Sequence, residues 1–165
     1  MRLLSASIAL CLPLENDMQA SISADDRFAI YDVLGRYSRA LDTADAEGYA
    51  ALFTPDATLQ IAGDEFHGRD AIREYIKQLT GVATWPGYRH HNTQVLFEEG
   101  DGQRCRVSCY SMIMWRHRTG EVESRQQGIY RDVLEKADNG LWYFAERRWE
   151  EWDPDKLASY RPAPR

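Results

Sequence analysis

The hydrophobic pattern of this chain changes period at one point, and that change decides what it can fold into. Before Tyr88 the apolar residues recur three and four apart; after it they alternate by two. The later part holds four strand-like runs, 89–98, 104–115, 124–135 and 141–152. They are separated by the turns Glu99-Gly100-Asp101-Gly102, Arg118-Thr119-Gly120 and Ala137-Asp138-Asn139-Gly140, the last with an Asn-Gly hairpin signal. Helices first and antiparallel strands after make an α+β layout, with the helices gathered on one face of a sheet.

In the helical part, Phe28, Ile30, Val33, Leu34, Tyr37 and Leu41 form one apolar stripe. Ser23, with Asp26 three residues on, caps this helix, which runs to Ala40–Asp42. Asp45 caps a second helix running through Phe53, with Tyr49, Leu52 and Phe53 inward, and Thr54-Pro55-Asp56 ends it. A strand over 57–61, a turn at Gly63-Asp64 and a short partner strand over 65–67 follow. After Gly68 a third helix carries Ile72, Tyr75, Ile76 and Leu79 on one face, and 81–87 is a loop.

At 165 residues the chain makes one domain. A net charge of −6 without a basic run of five excludes nucleic acid and anionic membrane surfaces as natural partners. No stretch reaches the ~18 consecutive apolar residues of a membrane span. Cys105 and Cys109 share one strand, where four residues at ~3.3 Å separate their α-carbons by about 13 Å, so they are buried thiols and not a disulfide. The first seventeen residues imitate a secretion signal but lack a small-x-small cleavage site, and Pro13, Glu15 and Asp17 interrupt the apolar run. The expectation is a cytoplasmic protein with an untidy N-terminal segment, export by that segment being the alternative.

Two clusters carry candidate chemistry. Asp42 sits at the C-terminal end of the first helix, where the helix dipole disfavours a carboxylate and calls for a proton-donating partner. The pair His90-His91 heads the first long strand, and alternation lets only one of them face inward. Bland roles compete: Asp42 as a helix terminator, Tyr37 as a core tyrosine, His67 as a surface residue, and Arg131 paired with an acidic neighbour. Adjacent histidines lack zinc-site spacing, so neither metal nor organic cofactor is expected.

The phrases YSRALDTADAEGYAALFTPDA, FHGRDAIREYI, RHHNTQVLF and GLWYFAERRWEEW resemble the SnoaL-like branch of the nuclear-transport-factor-2-like superfamily. The resemblance implies a cone-shaped α+β barrel, with three N-terminal helices packed on a strongly curved, mostly antiparallel sheet. It divides the chain into an N-terminal segment, 1–22, a domain, 23–155, and a tail, 156–165. It implies a catalytic dyad of Asp42 and His90 with Tyr37 as a third catalytic group. His91 is left on the outer face, and His117 is the one candidate for a second catalytic histidine. The substrate wall is expected from Arg131, Trp115, Tyr49, Ile129 and Phe53. The activity implied is a cofactor-free lyase, a dehydratase-type elimination or related carbon–carbon cleavage on a hydrophobic, aromatic or polycyclic hydroxylated substrate. The same branch supplies the alternatives, an isomerase or polyketide-cyclase-like enzyme, or a non-catalytic small subunit or ligand-binding module. A homodimer or homotrimer through the sheet is the expected assembly.

Overall fold

The computed structural model describes residues 22–82 and 85–161. The signal-like segment with Cys11 and the last four residues of the tail lie outside this range. The element order is α1 (Ala24–Asp42), α2 (Ala46–Ala50), β1 (Phe53–Ile61), β2 (Asp64–His67), α3 (Gly68–Thr80), β3 (Tyr88–Gly100), β4 (Arg104–Arg116), β5 (Val122–Lys136) and β6 (Trp142–Glu151). Short 3-10 turns at Trp85–Gly87 and Pro154–Tyr160 complete it.

The strands form one curved sheet in the order β2-β1-β6-β5-β4-β3, antiparallel except where β1 runs parallel to β6. β2 and β3 are its two edges, so the curved sheet is not closed on itself. α1 lies across β3 and β6, and α3 packs on β1 and α2. The core between helices and sheet is built from Ile30, Leu34, Tyr37, Leu41, Ile72 and Ile76 against Leu59, Val107, Tyr130, Leu134 and Phe144. Cys105 and Cys109 are buried free thiols on the inner side of β4. Burial pushes their ionisation up, to about 11 and about 12 respectively.

Three expectations need correction. Phe28 is 74% exposed. At about 100° per residue it points roughly 160° away from Ile30, so it belongs to the opposite side of α1 from the buried stripe. The second helix stops at Ala50, and Phe53 begins β1. Phe53 pairs with Phe144 in the parallel ladder, and the Phe144 amide donates to the Leu52 carbonyl at 2.9 Å. This long-range pairing overrides the local helical pattern. Pro55, expected to sit before a strand, lies inside one, in the interval between Phe53 and Thr58 where the ladder with β6 is broken.

The end of α1 is set by backbone geometry. Ala44 adopts φ +58, the Ala44 amide donates to the Leu41 carbonyl at 3.2 Å, and the Asp45 amide donates to that of Ala40 at 2.8 Å. This is a Schellman-type stop with alanine in the position that favours glycine. Its effect is to make Asp42 the last helical residue.

Candidate active site

Asp42 and His90 come together, one from the end of α1 and one from the start of β3. His90 Nδ1 lies 2.7 Å from Asp42 Oδ1, and the His90 backbone amide donates to the same oxygen at 3.0 Å. The His90 side chain is 6% exposed and that of Asp42 13%. The carboxylate thus has the donors that its unfavourable place at a helix C-terminus calls for. A carboxylate at Nδ1 selects the tautomer with hydrogen there, which places the ring's basic lone pair on Nε2. Asn92, two residues further along β3, faces α1 as well. Its Nδ2 donates to Ser38 Oγ at 2.9 Å, while its buried Oδ1 has no hydrogen-bond partner among the described residues. Sequence reasoning missed Asn92; alternation from His90 was the signal that could have found it.

Deeper in the core lies a buried polar cluster of three phenols and one ion pair. Tyr49 donates to the Tyr37 hydroxyl at 2.9 Å, and that hydroxyl lies 3.1 Å from Tyr130 Oη. All three rings are buried, and burial drives the Tyr49 and Tyr130 phenols well above the usual tyrosine range. The Arg147 guanidinium sits 3.9 Å from the Tyr37 ring centre and 3.6 Å from that of Tyr130. Arg147 in turn donates to Asp132. Burial raises the Asp132 carboxyl to about 7 against the opposing pull of Arg147.

The expected substrate wall is placed differently. Tyr49 and Phe53 are close-packed core residues, and Ile129 is buried on the face of β5 opposite Tyr130. Arg131, expected to enter the cone, lies on the outer face, where it donates to the Ser159 carbonyl at 2.9 Å and approaches Glu150 at 3.8 Å. Its neighbours Tyr130 and Asp132 take the inner face, and a strand alternates. The arginine inside is Arg147, which sequence reasoning passed over. Trp115 is partly buried and stacks at 6.1 Å on Tyr88, its cross-strand partner at the head of β3. His91 is exposed on the outer side; His117 lies on the β4–β5 hairpin against Trp115; His67 is exposed beside Glu65.

Among the described residues no cluster of three or more His, Cys, Asp or Glu could hold a metal, and no helix is long and apolar enough to cross a membrane.

Residues 23–148 match the SnoaL-like domain family. Among solved structures, a function-unknown protein from Mycobacterium tuberculosis, Rv3472 in an aspartate-to-asparagine variant, is 28% identical over 84% of each chain with a TM-score of 0.72. An NTF2-like protein with a cystatin-like fold from Novosphingobium aromaticivorans is 23% identical, covering 82% of this chain and 87% of its own, at a TM-score of 0.72. Aln2 from a Streptomyces species is 23% identical over 84% of this chain and 98% of its own, also at 0.72. Among curated proteins none matches the chain. The family match over most of the chain, together with the curved sheet and its three packed helices, makes this protein a member of the SnoaL-like domain family with the nuclear-transport-factor-2-like fold.

Proposed function

We propose that the chain is a cofactor-independent lyase of the dehydratase type, acting on a hydrophobic hydroxylated substrate through Asp42 and His90. The family it belongs to includes polyketide cyclases and dehydratases. The observation that carries the reading is the 2.7 Å contact between His90 Nδ1 and Asp42 Oδ1 in a largely buried setting. In this reading His90 Nε2 takes a proton from the carbon next to a carbonyl or activated aryl group. The electron pair passes into the carbonyl as an enolate, and Asp42 stabilises the imidazolium that forms. The enolate then collapses, the carbon–oxygen bond breaks, and the imidazolium returns its proton to the departing hydroxyl, which leaves as water. Tyr37, held by two phenols and by the Arg147 cation over its ring, is the third group of this scheme. Arg131 has no part in it. The same dyad weighs against a non-catalytic subunit or carrier, which has no need of an oriented imidazole.

The test is turnover of phenolic or polyketide-derived alcohols, followed as new ultraviolet conjugation. His90→Ala and Asp42→Asn are expected to lower it by roughly 10²–10⁴-fold while the melting temperature barely moves. Activity untouched by both substitutions would remove the dyad from the chemistry.

A further inference from the structure

A concave feature lies where the head of β3 meets the β4–β5 hairpin. An open groove of about 1030 Å³ runs between Pro86-Gly87, the outward residues Arg89 and His91 of β3, and the β4–β5 hairpin from Met114 to Val122. Three arginines, Arg89, Arg116 and Arg118, line it together with His91 and His117, and no carboxylate lines it. In a chain of net charge −6 that is a local reversal of sign. Among the described residues no ion pair occupies Arg116 or Arg118, whereas the hairpin's Glu123 lies 2.7 Å from Arg125 and 3.5 Å from His117. Met114, Val122, Pro86 and Trp115 supply an apolar wall beside these cations.

The wall is built to stay in place. Arg125 lies 4.2 Å over the Trp115 ring, and Tyr88 stacks on it from β3. A Cβ on Gly87 would come within 2.4 Å of Trp115 Nε1 and 2.6 Å of the Arg116 carbonyl, so glycine is what lets this turn close against the tryptophan. Arg89 donates to the carbonyls of Pro86 and Tyr88, which holds its stem along the lip. Tyr88, which stacks on Trp115, shares one side of β3 with His90 two residues on.

We propose that this groove binds the anionic arm of the substrate, a carboxylate on a flat apolar body. The unpaired guanidinium groups of Arg116 and Arg118 would hold the carboxylate, and Met114, Val122 and Trp115 would face the body. The proposal deepens the lyase reading by naming a substrate class, and in that respect it rests on it. Binding is measured without turnover, so the two can fail separately. Calorimetry would compare 2-naphthoate with its neutral counterpart 2-naphthylmethanol. The expected result is a preference for the naphthoate of at least about tenfold that shrinks as salt is raised. Arg116→Glu with Arg118→Glu should abolish that preference while leaving the weak affinity for the alcohol and the melting temperature unchanged. The milder Arg116→Gln/Arg118→Gln pair should reduce it. His90→Ala, which removes no lining residue, should retain it in full, whatever it does to catalysis. Equal binding of acid and alcohol, or a preference that survives charge reversal, overturns the proposal. It also falls if charge reversal changes the oligomeric mass and leaves naphthoate binding intact, since the groove would then be a contact between copies.

Discussion

Asp132 and Arg147 face each other across β5 and β6, 2.6 Å apart, and neither side chain exposes any surface. That contact joins Arg147 Nη1 to Asp132 Oδ2, and Asp132 Oδ1 and Arg147 Nε and Nη2 find no hydrogen-bond partner among the described residues. Removing one member strands a charge in the core, so Asp132→Ala is expected to cost about 3–5 kcal/mol. Arg147→Met in the same background should recover much of that loss, because both charges are then gone. Denaturant midpoints for the two single variants and the double variant check this.

Ala44 holds φ +58 immediately after the residues that place Asp42. A left-handed conformation costs an L-residue roughly 1–2 kcal/mol relative to glycine, partly offset by glycine's greater freedom in the unfolded chain. Ala44→Gly should therefore stabilise by about 0.5–1 kcal/mol. Thermal unfolding reads the gain, and a melting temperature that falls would show the strain to be absent.

Asp26 accepts hydrogen bonds from Lys136 at 2.7 Å, Trp142 at 2.8 Å and Ser23 at 2.7 Å, tying the start of α1 to the last hairpin. The Lys136 contact is the largest of the causes that bring its carboxyl down from 3.8 to about 2. Because the folded value is the lower one, the carboxylate's contribution is complete above the unfolded value of 3.8 and vanishes as pH falls through about 2. Asp26→Asn should be less stable than the parent at neutral pH and indistinguishable from it below about pH 2. Urea titrations at both ends of that range decide the matter.

Gly128 sits where β5 crosses β6 beside Trp149. A Cβ there would lie 2.4 Å from the Glu150 carbonyl and 2.5 Å from Trp149 Nε1, and the first of these is backbone that cannot step aside. Gly128→Ala should destabilise by about 1–3 kcal/mol. Gly35→Ala is the internal control: nothing lies within 4 Å of its added Cβ, so it should be stabilising by about 0.5–1 kcal/mol. Their melting temperatures should move in opposite directions.

The elements that rest on local pattern were readable from the residues. The stripe from Ile30 to Leu41, the face of α3 and the four long strands follow from spacing, and the resemblance added the pairing of Asp42 with His90. What escaped was set by distant partners. Phe53 looks helical until β6 offers it a ladder. On β6, counting by twos from Trp142 and Phe144 points to Glu146 and Arg148 as the inner residues. An irregularity at Ala145, where Phe144 pairs with Leu134 and Glu146 with Val133, brings Arg147 and Trp149 inside instead. Arg131 erred in the other direction, since the burial of Tyr130 already assigns its neighbour to the outside.

A similar irregularity on β3 has the wider consequence. Gln94, at φ +48, is an extra residue between the pairs Thr93–Tyr110 and Leu96–Ser108. The even-numbered Tyr88, His90 and Asn92 and the odd-numbered Val95 and Phe97 consequently share one side of the strand. β3 is in effect written in two reading frames that meet at Gln94. The frame that carries the imidazole can be re-lettered, and the frame that anchors the far end of α1 keeps its meaning.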